Sequence, residues 1–121
     1  MISWPAPVAG APVRGHVVVP GSKSASARSL LLAALAEGDS VLTGVLDSRD
    51  TALMRAGLAA LGARFDDLAD GRIRVRPGPV TGGGSIDCGL AGTVLRFLPP
   101  VAALAPQPTR FTGDAAAADR P

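Results

Sequence analysis

Tyrosine is absent from this chain of 121 residues, and its other aromatic residues are one Trp and three Phe. With so few rings there is no row on which nucleobases could stack, and the basic residues are scattered, so nucleic-acid binding is disfavoured. Net charge is only +2, which excludes a polybasic arm. Cysteine occurs once, at Cys88, which excludes an internal disulfide and suits a reducing compartment. The lone histidine, His16, leaves no histidine pair for a metal. No apolar run reaches the ~20 residues that a membrane-spanning helix needs. Residues 1–12 hold no Lys or Arg and are broken by Pro5, Pro7 and Pro12, unlike a secretory signal. The expected location is cytoplasmic.

What is present is 47% hydrophobic, but much of that share is alanine, and Gly and Pro contribute 15 and 11 residues. The core is therefore built from Leu, Val and Ala and is thin. The length fits one small domain or part of a larger one, marginally stable alone.

Val13, Val17 and Val19 alternate along one face, and Pro20-Gly21 ends the run, which predicts a strand over 13–19 that includes His16. Ser24 then precedes a leucine- and alanine-rich stretch to Glu37, closed by Gly38, which predicts a helix. A second strand is expected within 40–46. Asp47, Ser48 and Asp50 offer caps for a second helix that runs to Leu61 and closes at Gly62. Paired strands are expected at 63–67 and 72–76, joined through the turn-rich Ala69-Asp70-Gly71. Beyond the connector 77–84 the alternation restarts. A short strand is expected at 85–88, a helix near 93–105 that Pro99-Pro100 should kink or delay, and a strand at 108–112. The class is α/β, with one complete unit and the start of another, and the chain reads as a fragment.

The most informative segment for chemistry is Pro20-Gly21-Ser22-Lys23-Ser24, a glycine-containing loop between a strand and a helix start. Such a loop aims backbone N–H groups at an anion, and the helix dipole adds to the attraction. Lys23 is the only lysine among twelve basic residues. A chain that otherwise uses Arg has placed one compact, mobile ammonium here. Arg28, one turn on, can return to the same anion. The plain alternatives are a solvated loop lysine and an exposed helix arginine. A P-loop is excluded, because Ser22 and Val17 stand where its glycines belong.

A second segment, Gly89-Leu90-Ala91-Gly92-Thr93 with Arg96, combines glycines that allow close backbone approach with a hydroxyl that can bind or cap. Its plain alternative is a tight strand-to-helix connection. Cys88 reads as a small core residue, because no basic group near it in sequence would lower its pKa. Asp47 and Asp50 could be paired carboxylates, although helix capping explains both.

Pro20-Gly-Ser-Lys-Ser24 with Arg28, then Leu46-Asp-Ser-Arg-Asp50, then Gly89-Leu-Ala-Gly-Thr93 with Arg96, then Thr112-Gly-Asp114 and Arg120-Pro121, occur in this order. That ordered set resembles the N-terminal part of the 5-enolpyruvylshikimate-3-phosphate (EPSP) synthase family. The resemblance covers nearly the whole chain from about Pro12. UDP-N-acetylglucosamine enolpyruvyl transferases fit less well, since their lysine loop usually reads Gly-Ala-Lys-Asn. The other alternative is a non-catalytic anion-binding module.

The resemblance implies a fold of repeated βαβαββ units, an inside-out α/β barrel, of which one to one and a half units are present. It implies that residues 1–20 pack with another domain and that 21–121 form an incomplete N-terminal domain. It further implies transfer of the enolpyruvyl group of phosphoenolpyruvate to the 5-hydroxyl of shikimate 3-phosphate, on the route to chorismate and the aromatic amino acids. No metal or organic cofactor is implied, and the full-length enzyme is expected to be monomeric. By position, Lys23, Ser24 and Arg28 would hold shikimate 3-phosphate, while Lys23, Gly92 and Arg120 would hold phosphoenolpyruvate. Thr93, Arg96 and Asp50 would support them. Two departures stand out: Ala27 replaces the family's usual Asn before the helix arginine, and Ala115 to Ala118 replace longer polar or basic residues. The acid/base carboxylates belong to parts of the family enzyme beyond this stretch, so no residue here is assigned proton transfer, and the chain alone is expected to be inactive.

Overall fold

The computed structural model describes residues 3–117. Helix α1 spans Lys23–Ala34, with Ser22 rather than Ser24 as its cap. The Ser22 hydroxyl accepts from the Ala25 N–H at 3.4 Å, satisfying one of the donors a helix start leaves open. Ser26, Ala27, Leu30, Ala33 and Ala34 are buried, a stripe at helical spacing, while Leu32 is 69% exposed on the opposite side. The helix stops short of the expected Glu37. Leu35 closes it, its N–H shared between the carbonyls of Leu31 and Leu32.

Strand β1 is Ser40–Leu42, and helix α2 follows at Arg49–Ala60. Neither Asp47 nor Asp50 caps α2. Ser48 does, in a reciprocal capping box with Thr51. Thr51 is 3% exposed, and its hydroxyl also lies 2.7 Å from the Leu46 carbonyl, so the cap is locked to the preceding loop. Thr51, Met54, Leu58 and Leu61 form the buried stripe of this helix.

Strands β2 (Arg64–Asp67) and β3 (Ile73–Arg76) pair antiparallel as the turn chemistry predicts. At the turn Asp70 accepts from the Arg72 N–H at 3.1 Å and from its Nε at 2.6 Å. The backbone donor, foremost, holds the Asp70 carboxyl below its ordinary range. β1 joins β3 antiparallel, giving the sheet order β1-β3-β2. β1 and β2 therefore run the same way with β3 between them, and α2 is the crossover, a split βαβ arrangement.

The restart is also formed. Strand β4 (Ser85–Asp87), helix α3 (Gly92–Ala102) and strand β5 (Arg110–Thr112) make a parallel βαβ unit. Pro99 and Pro100 sit inside α3 and do not delay its start. They supply no N–H to the carbonyls of Leu95 and Arg96 four residues back. The helix keeps its place because Val94, Leu98, Val101 and Ala102 are buried. A 3-10 turn, Ala115–Ala117, follows β5.

The three helices pack on one another, the three-stranded sheet lies against α1 and α2, and β4 lies against α2. Leu30, Met54, Leu58, Val75, Val94 and Leu98 are the fully buried large side chains, drawn from all three helices and the central strand.

The expected strand over 13–19 is not formed: residues 12–22 carry no regular secondary structure. Val13, Val17, Val18 and Val19 are exposed, at 84%, 79%, 85% and 74%. Alternating valines make a strand only when they pair with a sheet edge, and among the described residues this stretch pairs with none. His16, read from sequence as a strand residue, lies in the same stretch without regular secondary structure.

Candidate functional site

Helices α1 and α2 both begin with a cation, Lys23 and Arg49. A positive charge at a helix start opposes the dipole by roughly 0.3 to 1 kcal/mol. Each cation is offset by an aspartate. Lys23 Nζ lies 2.6 Å from Asp50 Oδ2, in the first turn of α2, and Arg49 Nη2 lies 2.9 Å from Asp114 Oδ2. Gly89, just ahead of α3, lies against the Arg49 guanidinium and Leu53: a Cβ at Gly89 would meet Arg49 Nη2 and Leu53 Cδ1, each at 2.9 Å. Its φ of +49° also favours glycine. The starts of α1, α2 and α3 are therefore gathered at one end of the fold.

The Lys23 loop is held there by its backbone. A Cβ at Gly21 would fall 2.0 Å from the Gly44 carbonyl oxygen, so this glycine serves close approach of two chain segments. Ser26, 5% exposed, accepts from the Leu46 N–H at 2.9 Å and ties α1 to the loop that leads into α2. Arg28 donates to the hydroxyl of Ser24 and, at 3.3 Å, to its carbonyl. Its guanidinium also lies 5.6 Å from the centre of the Phe97 ring on α3, a cation–π contact that fixes its direction.

Beside this cluster is a hollow of about 640 Å³ between the Gly89–Gly92 turn, α3 and the segment Phe111–Ala117. Gly92 and Arg96 are in its wall, with Leu90, Leu95 and Phe111 supplying apolar surface. No side chain caps α3, whose N-cap is Ala91. Its first N–H groups thus have no side-chain acceptor of their own. Cys88, in the wall and 2% exposed, has its thiol pushed up by burial and then by the Asp87 charge.

Of the residues expected from sequence to form a site, Lys23 and Asp50 are joined directly, and so are Ser24 and Arg28. Gly92 and Arg96 share the hollow. Lys23, Ser24 and Arg28 do not line it; they stand on the adjoining surface, linked to it through the start of α2 and through Phe97. Thr93 is half-buried in the first turn of α3 and does not cap it. Arg120 lies outside the described residues. Sequence reasoning gave no role to Arg49, Phe97 or Ser26. A signal existed for Arg49, because a cation opening a helix implies an anionic partner nearby.

Comparison with known proteins places the chain in one family. The model of the family EPSP synthase (3-phosphoshikimate 1-carboxyvinyltransferase) matches residues 7–121. A 3-phosphoshikimate 1-carboxyvinyltransferase of Mycobacterium ulcerans (strain Agy99) is 51% identical over 125 aligned positions, which cover 98% of this chain and 28% of that protein. An EPSP synthase structure from Acinetobacter baumannii superposes with a TM-score of 0.73 at 27% identity, covering 88% of this chain and 25% of that one. Another from the same organism gives 0.69 at 28% identity with the same coverage. The chain thus spans only about a quarter of the length of these relatives. The family model spans nearly the whole chain and the fold superposes on solved members, so the chain belongs to the EPSP synthases.

Proposed function

We propose that this chain carries part of the substrate sites of a 3-phosphoshikimate 1-carboxyvinyltransferase. The reaction joins the 5-hydroxyl oxygen of shikimate 3-phosphate to the enol carbon of phosphoenolpyruvate and releases inorganic phosphate. The observation that carries the reading is the gathering of three helix starts, with Lys23, Arg28 and Arg96, at one end of a family member's fold.

Two multiply charged anions must be brought together, and their repulsion has to be offset. Charge-assisted hydrogen bonds of roughly 1.5 to 3 kcal/mol each can do this. In this reading Lys23, Ser24 and Arg28 hold shikimate 3-phosphate, with Arg28 aimed by Phe97. Lys23, Gly92 and Arg120 hold phosphoenolpyruvate. Asp50 keeps the Lys23 ammonium at the boundary between the two, and Thr93 and Arg96 support the glycine turn. Orientation of the hydroxyl against the enol carbon then supplies much of the rate, and donors matched to the tetrahedral intermediate supply more. Proton transfer is assigned to no residue of this chain. The reading includes a cytoplasmic, monomeric enzyme acting on small molecules without a metal or organic cofactor. Among the described residues no helix is long and apolar enough to cross a membrane.

The test is a chimera in which this chain replaces the matching segment of the Mycobacterium ulcerans relative. Phosphate release that requires both substrates supports the reading. Lys23→Met should then lower kcat/KM roughly ten- to hundredfold, the equivalent of one charge-assisted bond. A folded chimera that releases no phosphate, or a Lys23→Met chimera as active as its parent, refutes it.

A further inference from the structure

The segment Asp114–Ala117 walls the hollow, yet three of its four residues are alanines with no polar atom beyond the backbone. Its attachment is correspondingly sparse. Thr112 is bound through its carbonyl to the Cys88 N–H at 2.7 Å, the Asp114 N–H donates to the Gly89 carbonyl at 3.1 Å, and the Ala117 N–H closes back on the Asp114 carbonyl at 2.8 Å. Among the described residues, the side-chain tether of 114–117 is the Asp114 carboxylate on Arg49.

Arg49 is well placed for that task. It opens α2, where the capping box fixes the backbone, and its guanidinium crosses the face of Gly89, where a Cβ would come within 2.9 Å of Nη2 and 3.3 Å of Cζ. Gly113 is held close as well, since a Cβ there would lie 2.9 Å from the Gly89 carbonyl oxygen. The guanidinium thus spans from α2 over the glycine turn to the far wall.

We infer that Arg49 is a positioning residue which, through Asp114, fixes the alanine wall against the Gly89–Gly92 turn and thereby sets the half of the site that takes phosphoenolpyruvate. The inference rests on the enolpyruvyl-transfer function proposed for the chain. In this chain the loop is held by one ion pair reaching in from α2. The pair is partly exposed, with side-chain accessibilities of 60% and 39%, so its effect is modest and screened by salt.

Two measurements test it. Amide hydrogen exchange on the chain itself needs no ligand: Arg49→Gln and Asp114→Asn should each raise exchange at 113–117 while α1 and β3 stay protected. Equal exchange at 113–117 in variant and parent overturns the latch whatever the enzyme does. In the chimera, Arg49→Gln should raise KM for phosphoenolpyruvate about two- to fivefold, with KM for shikimate 3-phosphate and kcat nearly unchanged. Arg49→Lys should restore most of the loss, and the Arg49→Gln/Asp114→Asn pair should cost no more than either change alone. Equal rises in both KM values, or no rise, overturn the assignment to the phosphoenolpyruvate half. An inactive parent chimera counts against the proposed function alone, because the exchange result still decides the latch.

Discussion

Lys23 and Asp50, separated by 27 positions in sequence and 2.6 Å in space, join the first turn of α1 to the first turn of α2. The ammonium is 58% exposed and the carboxylate 21%, so the pair holds a cation in position while leaving it accessible. Such a pair adds little to stability, about 0.2 to 1 kcal/mol. Asp50→Asn in the chimera should therefore barely move the melting temperature, yet raise KM for both substrates. Titrating each substrate against initial rate checks this, and a large thermal shift with unchanged KM values would mean the pair is structural.

Gly21 presents a sharper geometric constraint. Because its Cβ position collides with the Gly44 carbonyl oxygen, Gly21→Ala must displace one of two backbone segments. The expected cost is about 1 to 3 kcal/mol, with weaker substrate binding because Lys23 lies two residues on. Gly38→Ala is the control: an added Cβ there meets nothing within 4 Å, and the change should be neutral or slightly stabilising. Urea denaturation of both variants gives the comparison.

The core depends on few side chains. Leu58, 1% exposed on α2, should cost about 2 to 5 kcal/mol when cut to Ala. Leu32, 69% exposed on α1, should change stability by about 0.5 kcal/mol or less. Equal losses at the two positions would contradict the burial pattern.

Cys88 gives the fold an alkaline sensitivity. Burial raises its folded pKa above the ordinary thiol value of about 8.5. The unfolded thiol therefore ionises first, and stability falls as pH climbs above that value. Below it both states are protonated and the thiol contributes no pH dependence. Cys88→Ala should flatten the stability curve between neutral and alkaline pH, read as the urea midpoint at each pH.

Much of this was legible in the sequence because it is local. Ser48 caps α2, the Asp70 turn joins two strands, and Met54, Leu58 and Leu61 show their stripe by spacing alone, whereas α1 is capped by Ser22, two residues before the expected Ser24. Of the expected caps Asp47, Ser48 and Asp50, Ser48 is the one used, because it and Thr51 satisfy each other, which frees Asp50 for Lys23. The valines of 13–19 have the right period, but a strand needs a partner that periodicity does not supply. Pro99 and Pro100 break no helix because the burial of Leu98 and Val101 outweighs the absent hydrogen bonds. In the site, Lys23 and the Gly89–Gly92 turn stood out by rarity and spacing. Arg28 over Phe97 and Arg49 on Asp114 did not, since each joins elements far apart in the chain.

In the proposed reading the starts of three helices form one anion-receiving end. Amide chemical shifts of the isotope-labelled chain, followed while shikimate 3-phosphate and then phosphoenolpyruvate are added, address it most directly. Saturable shifts gathered at residues 22–28, 49–50 and 89–96 are expected, abolished at 22–28 by Lys23→Met. Shifts centred on the β1-β3-β2 sheet, or none at 22–28 and 89–96 at saturating ligand, would contradict it.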